Sequence, residues 1–394
     1  MVEGKVAIVF GASGVSGWSF VNEILNDYPK KGVWSGVLAL TNRPLTVEES
    51  FWPPDDRLSI TSGINLLEDS PETIQKKLSD IAGIKKVTHL IYLAYKANTN
   101  NPEEVRENVE MFKRATIAVD KVCPNLEMVV NQTGAKAYGC HLLENRPAYL
   151  VPPFKEDTPR LEGAFAATLF YYPQLDWIAE YSKDKPWSWI ETRPDIILGF
   201  VPNQNFYSLN MAIGFFLSLY REINGEGAAC PFPGSDKSWV AKCQDSSAPM
   251  NARETIHVCF APTTKKGDAF NVADERPAHC WRDKWPVLCS LFGLEGVKVE
   301  QQSPIEVRRY IKDNKATWEK MEDKYGLRKG QADNDRIFPG FEYFLLTQFD
   351  FDRQYDMSKL YDVAGFQEQR KPAQTWGGTF ELMKKAKLIP AEFK

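Results

Sequence analysis

Over the first 200 residues, short runs of β-branched and apolar side chains alternate with longer stretches whose apolar positions recur at helical spacing. This pattern predicts strands at 5–10, 37–40, 58–61, 87–93, 126–131 and 187–192. Helices are expected around 15–28, 71–81 and 102–122, the last opened by Pro102 and two glutamates. Strands that are apolar along their length, separated by helices, describe an α/β chain with a doubly wound parallel sheet covered on both faces. Beyond Asn203 the pattern loosens. An apolar helical run at 207–221, a returning strand at 267–273 and helices at 281–292, 304–325 and 375–387 predict a mainly helical cap. The expected division is 1–205 for the sheet domain and 206–394 for the cap, without a linker or repeat between them.

Composition narrows the class. A chain of 394 residues with 43% apolar and 25% charged residues resembles an ordinary folded enzyme and not a disordered or low-complexity chain. The formal net charge of −4, with no block of like charge, gives no support to a nucleic-acid or membrane-surface partner. Seven cysteines without a C-x-x-C pair, and only four histidines, argue against a metal site or a disulfide framework. A reducing, cytoplasmic compartment is expected. The apolar stretch from Met211 to Leu217 is far short of the roughly 18 residues that cross a bilayer. The start of the chain reads as a first strand and not as a signal peptide. The Asn131-Gln132-Thr133 sequon is then expected to be idle, since its use requires secretion.

Chemistry enters at the turn after the first strand, Gly11-Ala-Ser13-Gly14-Val15-Ser-Gly17. Glycines three apart let the chain turn tightly, let a pyrophosphate approach the amides of Ser13, Gly14 and Val15, and let the helix pack on the sheet. The second strand ends at Asn42-Arg43, with no acidic residue to meet a ribose 2′-hydroxyl. Arg43, a planar fork suited to a 2′-phosphate, favours NADPH/NADP+ over NADH. Asn65 and Leu66, after the third strand, are candidates to face the adenine. Ligands of such a sheet collect beyond the carboxyl ends of the strands. The residues there are Tyr95 and Lys96 after strand four and Thr133-Gly-Ala-Lys136-Ala-Tyr138 after strand five. Pro194-Asp-Ile196 follows strand six, and Tyr171-Tyr172 opens the helix before it. Tyr181 and Lys185 show a Tyr-x-x-x-Lys spacing, but they lie about 15 Å along that helix and should emerge at the wrong edge.

Together these segments resemble the progesterone 5β-reductase and iridoid synthase (PRISE) family, an atypical branch of the extended short-chain dehydrogenases. The resemblance is carried by the glycine turn, Thr133-Gly-x-Lys136-x-Tyr138, Glu156-Asp-Thr-Pro-Arg160, Phe170-Tyr171-Tyr172 and Arg193-Pro194. It continues through Phe232-Pro-Gly234, Phe270-Asn271-Val272 and, near the C-terminus, Asp356-Met-Ser-Lys359. It implies a Rossmann-type fold and a 1,4-reduction, in which NADPH delivers hydride to the β-carbon of a small, mostly apolar enone or enal. Tyr171 matches the family's catalytic tyrosine and Lys136 its partner lysine. Thr133, Pro194 and Ile196 fall to the cofactor, and Tyr95, Lys96, Tyr138, Phe206, Met211 and Phe215 to the substrate. Several positions depart from the family: Ala137 replaces a histidine, Leu169 an asparagine, Leu175 a glutamate and Tyr95 a tryptophan. These changes lie near the substrate mouth, so a steroid or monoterpene substrate is not implied. Carbonyl reduction, a redox-neutral cyclisation or isomerisation, and a nucleotide-sensing role stay open as alternatives. The expected partner is a small molecule, and homodimerisation is left open.

Overall fold

A computed structural model describes residues 4–202, 208–300, 303–332 and 340–394. Seven parallel strands form one sheet: β1 (Lys5–Phe10), β2 (Trp34–Thr41), β3 (Leu58–Ser62), β4 (His89–Tyr92), β5 (Met128–Gln132), β6 (Ser188–Pro194) and β7 (Asp268–Val272). Their order is β7-β6-β5-β4-β1-β2-β3, so the direction of winding reverses between β1 and β4. Alternate side chains of each strand enter different cores. Ala7, Val9, Val37 and Ala39 pack on one face, while Val6, Ile8, Phe10, Leu38 and Leu40 pack on the other. Each fully buried Val, Leu, Ile or Phe contributes about 1.5–3 kcal/mol, which fixes register because a one-residue slip would exchange the two faces.

Helix α1 (Val15–Leu25) lies on the first face; α2 (Pro71–Ser79) and α3 (Asn101–Val122) supply Ile74, Leu78, Phe112 and Val119 to the second. The glycine turn sets the depth of α1. A side chain at Gly17 would collide with the backbone of Gly11 and Ala12, so only glycine lets the helix reach the strand. The helix stops at Leu25, earlier than its apolar pattern suggests, because Asp27 takes a left-handed conformation at φ 64°. Helix α4 (Tyr171–Tyr181) runs down to the start of β6.

The second half contains α5 (Leu209–Asn224), α6 (Ala248–Phe260), α7 (Trp281–Ser290), α8 (Val307–Asp313), α9 (Lys315–Tyr325), α10 (Phe341–Thr347) and α11 (Pro372–Lys385). The apolar pattern gave no sign of α6, although Ser247 caps it and Pro249 lies in its first turn. It packs on α1 and leads into β7, so the chain leaves the cap, completes the sheet and returns. The single helix expected at 304–325 is two, α8 and α9, separated at Asn314, whose side-chain amide donates to the Tyr310 carbonyl (2.9 Å). No helix among the described residues is long and apolar enough to cross a membrane.

Cap and sheet meet along a polar seam. Arg353 and Asp195 form a buried ion pair at 2.7 Å, Lys284 and Asp245 another at 2.9 Å, and Trp376 Nε1 donates to Asp245 Oδ2 (2.9 Å). Two fully buried carboxyls, Asp274 and Glu254, share this seam. Asp274 accepts from the Ser247 amide (2.6 Å) and from the Thr375 hydroxyl of α11. Burial pushes its pKa up to about 7, against those two hydrogen bonds, from an ordinary value near 3.8. A raised acid pKa means that the folded chain holds a proton the unfolded chain has released. Stability from this group is therefore full below about pH 4, declines as pH rises and is lost above about pH 7. Asp274→Asn should flatten the fall in melting temperature between pH 5 and pH 8 (about three units) relative to wild type. An unchanged slope would mean that Asp274 is ionised in the folded protein.

Candidate active site

The carboxyl ends of β1, β4, β5 and β6 share one edge of the sheet. At β1, Gly14 caps α1 in an extended conformation without a side-chain hydrogen bond, and the first turn carries no acidic residue. The first-turn amides therefore point into the crevice with the positive end of the helix dipole behind them, a cradle that fits a pyrophosphate. Ser13 is half-buried and Val15 buried. Gln132, at the end of β5, donates to Ser16 Oγ across the crevice (2.8 Å), and its own Oε1 is buried and unpartnered. The sequence pattern did not single out Gln132 or Ser16. Only their flanking positions, after a strand and inside the glycine turn, mark them.

At the end of β2, Asn42 and Arg43 are exposed, and the Arg43 carbonyl accepts from Thr41 Oγ1 (2.7 Å). Asn65 is engaged locally: its Oδ1 accepts from the Leu67 amide (3.1 Å) and its Nδ2 donates to Glu68 (2.9 Å). Leu66 is buried, and its carbonyl accepts from Arg114 (3.1 Å). These two residues build the turn after β3 more than they face a ligand.

The edge beyond β5 and β6 brings together Thr133, Gly134, Pro194 and Tyr171. Gly134 has φ 154°, and a side chain there would lie 3.1 Å from the Pro194 carbonyl and 3.4 Å from Tyr171 Oη. The Tyr171 hydroxyl therefore rests against the bare backbone of the turn that carries Lys136. Tyr171 is the first residue of α4, whose C-terminal end comes down at the opposite edge. The second tyrosine is a clamp: Tyr172 Oη accepts from the Leu161 amide (3.0 Å) and donates to the Ala137 carbonyl (2.9 Å). Lys136 is half-buried, in a single 3-10 turn from Ala135 to Tyr138. Ile196 is half-buried beyond β6.

An aromatic ladder leads from the surface to Tyr171. Tyr95, 38% exposed, stacks on Phe170 at 5.7 Å, and Phe170 meets Tyr171 edge-on at 4.8 Å. Tyr95 also donates to Glu104 of α3. Asn108 holds the Lys96 backbone at both its amide (2.9 Å) and its carbonyl (2.8 Å), and leaves the Lys96 side chain exposed. A relay then ties that loop to the sheet: Gln174 Nε2 donates to the Asn108 carbonyl (2.9 Å), and Asn131 Nδ2 donates to Gln174 Oε1 (3.2 Å). The sequon asparagine is 1% exposed and belongs to this relay.

Other expected substrate residues lie in the core. Tyr138 is 1% exposed, stacked on Phe154 at 4.9 Å, with its hydroxyl donating to Asn271 (2.6 Å) and accepting from Arg193 (3.1 Å). It is a structural post and not a group available to substrate. Met211, fully buried, accepts the Val201 amide at sulfur (3.5 Å), and Phe215, also fully buried, packs edge-on against Trp318 at 5.5 Å. Both serve cap packing, where apolar periodicity alone cannot tell a pocket wall from a core. Phe206 lies outside the described residues. Tyr181 and Lys185 both bind Asp120 Oδ2 near the end of α3, at 2.8 and 2.7 Å, remote from the glycine turn. Burial and Asp120 push the Tyr181 phenol well up, the opposite of activation.

The model of the PRISE-like Rossmann-fold domain matches residues 7–390, and the chain belongs to that family. A short chain dehydrogenase, ausT of Aspergillus calidoustus, is 34% identical over 98% of this chain and 94% of its own length. The 3-oxo-Delta(4,5)-steroid 5-beta-reductase of Arabidopsis thaliana and the (S)-8-oxocitronellyl enol synthase ISY1 of Nepeta cataria are each 28% identical, over 98% of this chain and 93% of theirs. Among solved structures, the epimerase Mth375 of Methanothermobacter thermautotrophicus shares the fold with a TM-score of 0.63 at 12% identity, covering 97% of this chain and 93% of its own.

Gly134 offers a direct check. Its backbone conformation is one that side chains resist, and both neighbours of an added methyl are parts of the site. Gly134→Ala is expected to cost about 1–3 kcal/mol, read as a lower urea midpoint with an unchanged slope. Wild-type stability would show that this turn relaxes freely.

Proposed function

We propose that the protein is an NADPH-dependent reductase of an activated C=C bond, acting on a small, mostly apolar enone or enal. The observation that carries this reading is the Tyr171 hydroxyl against the Gly134 turn, at the strand edge shared with the open amide cradle of α1. The family membership and the relatives' names, short-chain dehydrogenases among them, support it. The cradle, without a side-chain cap or an acid, fits the diphosphate of a nicotinamide nucleotide; Arg43 beyond β2 fits a 2′-phosphate. Such a nucleotide, when bound, supplies the hydride.

The chain's own residues handle the charge. Addition at the β-carbon of an enone moves an electron pair onto the carbonyl oxygen. The Tyr171 Oη–H donates to that oxygen, and the Lys136 ammonium adds positive potential, so the interaction strengthens as the enolate forms. Gln132 and Ser16 brace the crevice between the cradle and β5. The ladder of Tyr95 and Phe170 offers flat, apolar surface to the body of the substrate.

Purified protein incubated with NADPH and a panel of enones and enals, followed by loss of cofactor absorbance and product identification, is expected to give a saturated carbonyl product. An alcohol, or an isomer formed without cofactor loss, would redirect the assignment to carbonyl reduction or to redox-neutral chemistry. Tyr171→Phe should lower kcat about 10²–10³-fold, whereas Tyr181→Phe leaves it near wild type. The reverse ranking would move the chemistry to the Asp120 edge. Arg43→Ala should raise KM for NADPH about tenfold or more while barely changing that for NADH; equal changes would remove Arg43 from phosphate recognition.

A further inference from the structure

The turn that carries Lys136 is held at both ends by one buried ion pair. Glu191 and Arg193 lie two residues apart on β6 and meet at 2.7 Å, with side chains 3% and 10% exposed. The free carboxylate oxygen of Glu191 accepts from Thr133 Oγ1 (2.5 Å), at the start of the turn. Arg193 Nη1 donates to Tyr138 Oη (3.1 Å), at its end, and to the Glu156 carbonyl (3.1 Å). Tyr138 passes the restraint on to Asn271 of β7 (2.6 Å), whose side-chain Nδ2 donates to the carbonyls of Phe154 (2.9 Å) and Asp356 (3.2 Å). Between these ends the Ala137 carbonyl is held by Tyr172, the neighbour of Tyr171.

We propose that the Glu191–Arg193 pair is a positioning device for Lys136, fixing the height of its ammonium relative to the Tyr171 hydroxyl through Thr133 and Tyr138. Stability alone is a poor account of this arrangement. Burying two charges costs several kcal/mol, and a well-packed apolar pair of similar volume is often as stable or more so. The pair does what apolar groups cannot: it offers directional bonds to two polar side chains five residues apart, at the two ends of a one-turn element. A group that stabilises developing charge must be held to within about 0.5 Å, and the turn's own backbone bonds, Ala137 amide to Gly134 carbonyl and Gly139 amide to Lys136 carbonyl (3.0 Å each), shape the turn without anchoring it to the sheet.

The inference rests on the enone-reductase reading for the role of Lys136, and the test separates the two. Thr133→Val, Tyr138→Phe, the double variant and Thr133→Ser are assayed as full-length protein with NADPH and an enone turned over by wild type. Each of the first two should lower kcat about 10- to 100-fold, with KM for the enone and Kd for NADPH within about twofold of wild type. The double variant should fall little further, because both act through one pair, and Thr133→Ser should restore most of the rate. Acetylation of Lys136 by acetic anhydride, read by peptide mass spectrometry, should be faster in Thr133→Val and Tyr138→Phe than in wild type and Thr133→Ser. If kcat falls only with the folded fraction, or if KM or Kd rises instead, the pair is structural or the residues touch ligand, and the proposal is overturned. If wild type reduces no enone, the functional reading fails and the acetylation rates alone decide: unchanged labelling overturns the clamp.

Discussion

Close approach at two glycines shapes the carboxyl edge of the central sheet. Gly17 brings α1 onto the Gly11 turn so closely that no side chain fits between them, and Gly134, less tightly, brings the Lys136 turn beside the Pro194 carbonyl and the Tyr171 hydroxyl. The first contact leaves the amides of a helix end open at the sheet edge; the second sets a phenol against a strand end. Both contacts fall at carboxyl ends of parallel strands, where the sheet's reversal between β1 and β4 leaves a crevice. The remaining structure keeps these two approaches in register.

Periodicity made most of the sheet legible, because buried parallel strands are apolar throughout and their ends are punctuated by glycine, proline and polar residues. β1 matches its expected bounds, and Tyr171 opens its helix as the pattern indicated. What periodicity could not convey is what each buried group touches. Tyr138 reads as a ligand contact from its place beside Lys136, yet its hydroxyl is taken by Asn271 and Arg193, more than fifty residues away in sequence. Phe215 and Met211 sit on an apolar helix, and the same helical spacing serves a pocket wall or a core. Helix α6 was hidden for another reason: with Asn251, Glu254 and Thr255 buried, its inward face is too polar to stand out.

Those buried polar groups are linked to the way cap and sheet are joined. Asp195–Arg353, Lys284–Asp245 and Asp274 with its Thr375 and Ser247 donors all lie where the second half meets the strand ends. Apolar contact would hold the halves together as strongly, but directional bonds hold them in one orientation. The aromatic ladder is fixed by the same means, through Glu104, Asn108 and Gln174, so that its rings stand on a polar framework.

The return of the chain into the sheet has a consequence for biosynthesis. β7 brings Asn271 to Tyr138, and Asn271 in turn reaches the Asp356 carbonyl. A nascent polypeptide emerging from the ribosome can close its glycine turn within the first few dozen residues. The Lys136 turn gains its last support only when Asp356, 220 residues beyond Lys136, has been added. The anion cradle is thus among the earliest parts the growing chain can complete, and the full setting of the amine among the latest.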